Sequence, residues 1–367
     1  METIGVTRLG ELTGLDRIGL PVFTAIRPRA RCLSTTHGKG LTATAAAVSA
    51  LMEALEMHAA EQAVPDLVAL TPAEVREAGY QPRHRGAPLR RDRALDETAA
   101  LDWSLASNLA GERRWAVPFD IVHLDYRPAR FAASPFVIST NGLASGNSRE
   151  EACLYGLCEL AERDAIGRRA AKDPWLAMAG APAVDLASVP EGPCRSLLDR
   201  IRAAGIEVRA WYLAGPATLP TIYVRLIERE THPLAPPPVD GAGCDPEPLA
   251  ALVHALAEAA QNRIVLISGT RDDLSAPTYL RRAVTAEPGE ALPLDALPRP
   301  AAASLGETLR RVAEVFEQEG RQPLFVDLSP AGSGLSVVRS VVPSLLPLMQ
   351  AHGSRPAAQA AVLESGR

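Results

Sequence analysis

Cysteine is scarce in this chain and follows no pattern. The five present, Cys32, Cys153, Cys158, Cys194 and Cys244, form no Cys-x-x-Cys pair. Such an odd, scattered set offers no zinc framework and points to reduced thiols in a cytoplasmic protein. Cys153 and Cys158 stand among Leu154, Leu157 and Leu160 and are expected to be small core residues. Long apolar runs are missing too. The N-terminal METIGVTRLGEL has no apolar stretch behind basic residues, and no run reaches about eighteen apolar residues, so neither a signal peptide nor a membrane span is expected. A basic excess is also lacking: 38 Lys and Arg face 43 Asp and Glu, for a net charge of −5 and a pI of about 5.9. That balance excludes a general nucleic-acid or anionic-membrane binder. A Walker A loop is absent, because Gly38-Lys39-Gly40 lacks the upstream glycine and is followed by Leu41, where that loop needs Ser or Thr.

What is present is a folded globular composition, 47% hydrophobic and 22% charged over 367 residues, enough for one large or two ordinary domains. Neither proline-rich stretch, 233–248 or 288–300, divides segments of different composition, so one compact unit is expected. The chain is organised around Thr140 to Arg163, TNGLASGNSREEACLYGLCELAER, where a glycine-punctuated loop runs into a helix. An echo lies upstream. Gly146, Ser148, Ala152 and Glu162 stand to Glu159 as Gly40, Thr42, Ala46 and Glu56 stand to Glu53. A glycine, a helix-start hydroxyl, a small residue and Glu-x-x-Glu thus recur in register.

Carboxylates three apart share one helix face. In TATAAAVSALMEAL, residues 42–55, nearly every side chain is small or apolar, the pattern of a helix buried all round. Buried like charges repel or take up protons unless partnered, and a hard cation with phosphate oxygens would hold them ionised. The competing reading is a solvated face. For Glu151 there is also a capping box, Ser148-Arg149-Glu150-Glu151, in which it merely closes the helix start.

In chain order, a strand is expected at 22–26 and a phosphate-suited loop at 32–40 with Lys39 as a point charge. A helix follows from Thr42 to Pro65, with His58 structural. The stretch 71–93 should hold a short helix and a largely solvated arginine cluster of Arg83, Arg85, Arg90, Arg91 and Arg93. Strands are expected at 103–110, 115–123 and 136–140, the last feeding the Thr140 loop as strand, loop and helix start, a plausible anion cradle. The helix there runs to Arg169, and 175–192 is irregular. Further helices at 197–204, 249–263 and 305–320, and strands at 208–213, 221–227, 324–328 and 335–342, complete the order of elements. The helix at 249–263 sets Glu258 and Gln261 three apart, with Arg263 beyond. Strands arrive in consecutive runs, which favours α+β over a doubly wound parallel sheet.

These residues resemble the YcaO family. Ser49-x-x-x-Glu53-x-x-Glu56 is similar to that family's first helix motif. Asn147-x-x-x-Glu151 with Glu159-x-x-Glu162-Arg163 resembles the second, and Glu258-x-x-Gln261-x-Arg263 the third. GLDRIGLPVF, HGKG, NGLASGN and SGTRDD are similar to its connecting text, and the likeness runs from about Gly5 to Pro343. It implies a single domain over 1–345, including the N-terminal segment 1–30, with mixed and antiparallel sheets and Ala-rich buried helices lining an ATP site, and a C-terminal tail at 346–367. It further implies ATP- and Mg2+-dependent activation of a backbone amide in a peptide or protein. Glu53, Glu56, Glu159 and Glu162 would hold magnesium. Ser49, Asn147, Glu151, Arg163, Gln261, Arg263 and Arg271 would contact the nucleotide, Ser49 and Arg271 being the outlying members. No general base is assigned.

Two departures shape the choice of product. Met57 stands where the first motif usually has arginine, and the chain ends AVLESGR where azoline-forming members typically carry PxPxP. With text nearer to members that work beside a TfuA-type partner, thioamidation from a sulfide donor is expected first and cyclodehydration of Cys, Ser or Thr to an azoline second. Behind these stand a catalytically silent nucleotide-binding scaffold, and a protein whose glutamates only cap helices and face solvent. Leader recognition would come from a partner, since no fused peptide-recognition domain is expected, and a homodimer is compatible with the whole.

Overall fold

Glycine next to alanine, rather than large apolar side chains, sets the local architecture. The computed structural model describes residues 1–90, 92–173, 178–229, 235–269, 289–346 and 354–356. The elements in chain order are β1 (Arg8–Glu11), β2 (Val22–Ile26), β3 (Thr35–Lys39), α1 (Ala43–Gln62), β4 (Leu67–Leu70), α2 (Pro72–Glu77), β5 (Gln81–Pro82) and β6 (Pro88–Arg90). Then come β7 (Leu101–Ala106), β8 (Trp115–Pro118), α3 (Pro128–Ala133), β9 (Leu143–Gly146), α4 (Arg149–Lys172), β10 (Ala183–Asp185), α5 (Pro193–Ala203), β11 (Ile206–Ala214) and β12 (Pro220–Glu228). The last are β13 (Val239–Cys244), α6 (Pro248–Ser268), β14 (Ala291–Pro293), α7 (Leu305–Gln318), β15 (Leu324–Asp327), β16 (Ser336–Val341) and β17 (Ser354–Pro356). Helices and sheets are mixed without alternation, and the α+β expectation is borne out.

Two units interleave along the sequence, Met1–Leu55 with Lys172–Ala301 and Glu56–Ala171 with Ala302–Arg367, so the boundary falls inside α1. In the first unit β1-β2-β3 form an antiparallel sheet, and β13-β12-β11-β10-β14 a second that is parallel only between β10 and β14. Period-two patterning of β12 puts Ile222, Val224 and Leu226 into a core with Ala251, Leu252, Ala255, Leu256 and Ala259 of α6. In the second unit the antiparallel sheet β15-β16-β9 accompanies β4-β7-β8-β5, parallel only between β5 and β8, and the pair β17-β6. Cys153 and Cys158 are core residues as expected, and burial pushes the Cys153 thiol up to about 12.

Three strands lie directly on the backbone of the helix that follows them. A Cβ added to Gly38 of β3 would stand 2.0 Å from Ala50 N and 2.3 Å from Ala46 O of α1. On β13, Gly241 would meet Ala259 N at 2.2 Å and Gly243 would meet Ala251 O at 2.2 Å, both on α6. On β9, Gly146 would meet Ala152 N of α4 at 2.8 Å. This corrects several expectations. The segment 32–40, expected as a loop, contains β3, the proline-rich stretch 233–248 contains β13, and the strand near 136–140 is instead β9 at 143–146, inside the expected loop. In each case glycine marks close backbone approach within a strand rather than a turn. Helix α1 is also not buried all round: Ala46, Ala50 and Ala54 are fully buried, but Val48 is 51% exposed. Its alanines answer the strand on one face, and its opposite face meets solvent.

Among the described residues, no helix is long and apolar enough to cross a membrane. The arginine-rich stretch pairs locally: Arg85 with Glu97 at 3.0 Å, Arg90 with Asp92 at 3.1 Å, and Arg93 with the Ala132 carbonyl at 2.9 Å; Arg91 lies outside the described residues. Replacing Gly38 by Ala is expected to cost roughly 1–3 kcal/mol, as overpacking does. Gly14→Ala, whose Cβ meets nothing within 4 Å, should leave the urea midpoint nearly unchanged.

Candidate functional site

The second unit gathers most of the acidic residues singled out by the sequence around one short stretch of backbone. The Gly142 N–H donates to Glu159 Oε2 at 3.0 Å. Ser145 gives two donors to Glu56 Oε1, its N–H at 2.9 Å and its hydroxyl at 2.5 Å. The Asn147 N–H and side-chain Nδ2 both donate to Glu151 Oε2, at 2.7 and 3.0 Å. Within α4, Arg163 sits between Glu159 at 3.5 Å and Glu162 at 3.6 Å. Three glutamates from two helices are thus oriented by amides between Gly142 and Asn147.

The capping reading of Glu151 is partly realised. Ser148 Oγ accepts from the Glu151 N–H at 3.2 Å, which is the forward half of a capping box, while the Glu151 carboxylate reaches back to Asn147. Glu151 therefore holds Asn147 in place as well as starting the helix.

Arg339 of β16, which carries no motif in the sequence, completes this region. It is 1% exposed and donates from Nη1 to Asn141 O at 2.8 Å and from Nη2 to Val122 O at 3.1 Å. Burial pulls its pKa down to about 10, against the opposing influence of Glu159, Tyr126 and Glu56. The one available signal is a lone charge in an otherwise uncharged strand, SVVRSV.

The first unit holds the other residues. Glu53 of α1 accepts from the His37 N–H of β3 at 3.2 Å, and Ser49 lies half-buried one turn earlier. Lys39 of β3 pairs with Glu258 of α6 at 3.8 Å. On the same helix Gln261 Oε1 is buried with no hydrogen-bond partner. Arg263, expected on the nucleotide, is 4% exposed, bonded through Nε to both Asp16 oxygens at 3.0 Å and paired with Glu228. Asp16 comes from the GLDR phrase, and neither it nor Glu228 stands out in the sequence. Arg271 lies outside the described residues.

Every acceptor in these groups is a hard oxygen, the donor set that magnesium takes. A family model described as YcaO cyclodehydratase, ATP- and Mg2+-binding, matches residues 37–346. The chain belongs to the YcaO family. An uncharacterized protein of Methanothermobacter thermautotrophicus is 35% identical over 363 residues, 94% of this chain and 91% of the relative. An uncharacterized protein in the tfuA 3′ region of Rhizobium leguminosarum bv. trifolii is 33% identical over 370 residues, 94% of this chain and 84% of that protein. Among solved structures, YcaO from Methanopyrus kandleri bound with AMPPCP and Mg2+ shares the fold with a TM-score of 0.73 at 23% identity, over 95% of this chain and 88% of that one. A heterocyclase in complex with substrate and cofactor gives a TM-score of 0.74 at 19% identity, over 98% of this chain and 52% of that one.

ATP and Mg2+ are the cofactors of this YcaO chain, as the family description states, and its residues fit them. Among the described residues no group of three or more His, Cys, Asp or Glu side chains forms a preassembled metal cage. Magnesium does not require one, since it characteristically takes one or two carboxylates and completes its shell with water and substrate phosphates. Backbone amides orient Glu56 and Glu159 without themselves adding a countercharge, which suits that arrangement. The buried, unpartnered Gln261 Oε1 is a further acceptor whose desolvation is uncompensated within the protein.

The buried Arg263 network yields an expectation of its own. Arg263→Met leaves Asp16 and Glu228, 2% and 9% exposed at their side chains, without this cation. Breaking a buried pair in this way costs about 3–5 kcal/mol, so chemical denaturation of the variant should show a large loss of stability even without nucleotide.

Proposed function

We propose that this YcaO protein activates a backbone amide of a peptide or protein by ATP-dependent phosphorylation of the amide oxygen, and that with a TfuA-like partner and a sulfide donor it converts the amide to a thioamide. The observation that carries the reading is the pair of carboxylates, Glu56 and Glu159, fixed by the amides of Ser145 and Gly142. Neutral donors of this kind orient a carboxylate without neutralising it. Glu53, with its own strand amide at His37, and Glu162 complete the proposed magnesium set. Ser49, Asn147, Arg163 and Gln261 are the proposed nucleotide contacts. Glu151 acts through its hold on Asn147, and Arg263 by fixing Asp16 and Glu228; Arg271 remains an expectation from the motif alone.

Held by these residues, Mg·ATP would supply the electrophilic phosphoryl group that makes the amide oxygen a leaving group, to depart as phosphate after the sulfur nucleophile adds to the carbonyl carbon. Arg163, which pairs with Glu159 and Glu162, would offset charge on the phosphoryl oxygens. The TfuA partner is supported by the Rhizobium relative, whose description places it in a tfuA 3′ region. A second reading, dehydration of a Cys, Ser or Thr side chain onto the preceding amide to give an azoline, is favoured by the family's own description as cyclodehydratase.

Mass spectrometry of a candidate substrate incubated with the protein, ATP, sulfide and a TfuA-like protein separates these outcomes. Exchange of oxygen for sulfur is expected, loss of water would establish the azoline reading, and an unchanged mass despite ATP binding would leave only a nucleotide-binding scaffold. Glu56→Gln and Glu159→Gln are each expected to lower substrate-dependent ADP release roughly 10²-fold or more, the scale on which electrostatic stabilisers act. Full ADP release from folded variants would refute the assignment.

A further inference from the structure

Arg339 differs from two other buried arginines, Arg263 and Arg225. Arg263 and Arg225 each touch a carboxylate, at Asp16 and Asp240, whereas the hydrogen bonds of Arg339 run to two backbone carbonyls distant in sequence, Asn141 O and Val122 O. A buried guanidinium is expensive to desolvate, so its place on β16 calls for a reason beyond packing.

The reason lies in the peptide it touches. Asn141 C=O and Gly142 N–H belong to one peptide unit. Arg339 donates to the oxygen of that unit at 2.8 Å, while its nitrogen donates to Glu159 Oε2 at 3.0 Å. A cation on the carbonyl side polarises the amide and strengthens its N–H as a donor, because hydrogen bonds in a chain reinforce one another. The neighbouring backbone clamps the same turn: the Ser340 N–H donates to Gly142 O at 2.7 Å. Gly142 has φ +77°, and a Cβ there would lie 2.4 Å from Ser340 O, so the turn cannot relax toward the strand. Nη2 on Val122 O fixes the guanidinium plane from the other side.

We propose that Arg339 is a positioning residue for Glu159, holding and polarising the Asn141–Gly142 peptide so that its N–H sets the orientation of that carboxylate for magnesium. The proposal rests on the reading of Glu159 as a magnesium ligand. On this reading Arg339 acts through Glu159 and not on the metal or the nucleotide.

The test is Mn2+ binding by the full-length protein in the presence of a non-hydrolysable ATP analogue, followed by electron paramagnetic resonance of free Mn2+, with the melting temperature of each variant recorded without ligand. Arg339→Lys keeps the charge but cannot serve both carbonyls in one plane. It is expected to weaken Mn2+ binding about tenfold, or about 1.4 kcal/mol, and the effect should disappear when Glu159→Gln is already present, since a residue acting through Glu159 has nothing left to position. Ser340→Ala, which removes a hydroxyl of the same strand that is buried without a partner, should leave Mn2+ affinity unchanged.

Unchanged affinity in folded Arg339→Lys, while Glu159→Gln weakens it, would overturn the proposal and leave the metal assignment standing. Unchanged affinity in both would sink the metal assignment itself. If Arg339→Lys does not fold, Arg339→Gln, which retains a donor for Asn141 O, is measured in the same way. Loss of the fold in both variants would overturn the proposal in favour of a purely structural arginine.

Discussion

A backbone N–H of a strand, or of the turn leading into it, donated to a helix carboxylate is the contact on which this architecture depends. His37 of β3 gives it to Glu53 of the helix that follows, and Gly142, just before β9, gives it to Glu159 of α4, while Ser145 of β9 gives it to Glu56 on the earlier helix α1. Like-charged residues one turn apart on a helix destabilise it unless something favours their ionised form. Amide donors do so without themselves adding a countercharge, beside the one that Arg163 brings to Glu159 and Glu162, and a charge-assisted bond of this kind is worth about 1.5–3 kcal/mol. The cost falls on shape. A strand can bring its amides to a helix only by lying on it, and that excludes side chains from the contact. Hence Gly38 and Gly146 on the strands and Ala46, Ala50 and Ala152 on the helices. The alanine content of α1 and the glycines of HGKG and NGLASG are two sides of one packing requirement.

Arg263 and Arg339 show how burial can serve opposite ends. Arg263 is neutralised where it stands by Asp16 and Glu228, and such a network fixes structure with little field left over. Arg339 is solvated by carbonyl oxygens instead, and burial lowers its pKa to about 10. Glu159 and Glu56 are among the groups that feel its charge. A fixed positive charge behind a carboxylate group counters mutual repulsion within it.

Periodicity made part of this legible. Glu-x-x-Glu repeated behind a glycine and a helix-start hydroxyl is a pattern of spacing, and spacing survives in a sequence, so Glu53, Glu56, Glu159 and Glu162 could be singled out and the helices carrying them placed. The strands were harder. TTHGK and VDGAGC carry the glycines that ordinarily signal loops, and only the helix lying against them shows why a strand tolerates them. Arg339 and Ser145 were out of reach for another reason: their partners are a carbonyl on one side of the chain and a carboxylate on another, far apart in sequence and without a side-chain pattern linking them. Arg263 was placed on its helix by its motif, but the acids that claim it, Asp16 and Glu228, belong to segments that carry no motif of their own.

The register of the two copies follows from the same geometry. In each, the strand ends within a few residues of the start of its helix, at Lys39 before Ala43 and at Gly146 before Arg149, so the helix must double back along the strand. About ten residues into the helix, at a rise of 1.5 Å each, the chain has returned about 15 Å, and this is where Glu53 and Glu159 stand. Four residues of extended backbone cover about 13 Å, the span from Gly146 back to Gly142. The carboxylate therefore arrives opposite an amide in or just before the strand because the two rises are similar, the donors His37 and Gly142 lying 16 and 17 residues before their carboxylates. The third strand–helix pair, β13 with α6, uses the same close packing through Gly241 and Gly243 but presents Glu258 to Lys39 and leaves Gln261 Oε1 without a partner. One construction, used three times, thus carries carboxylates on two helices and an unsatisfied amide acceptor on the third.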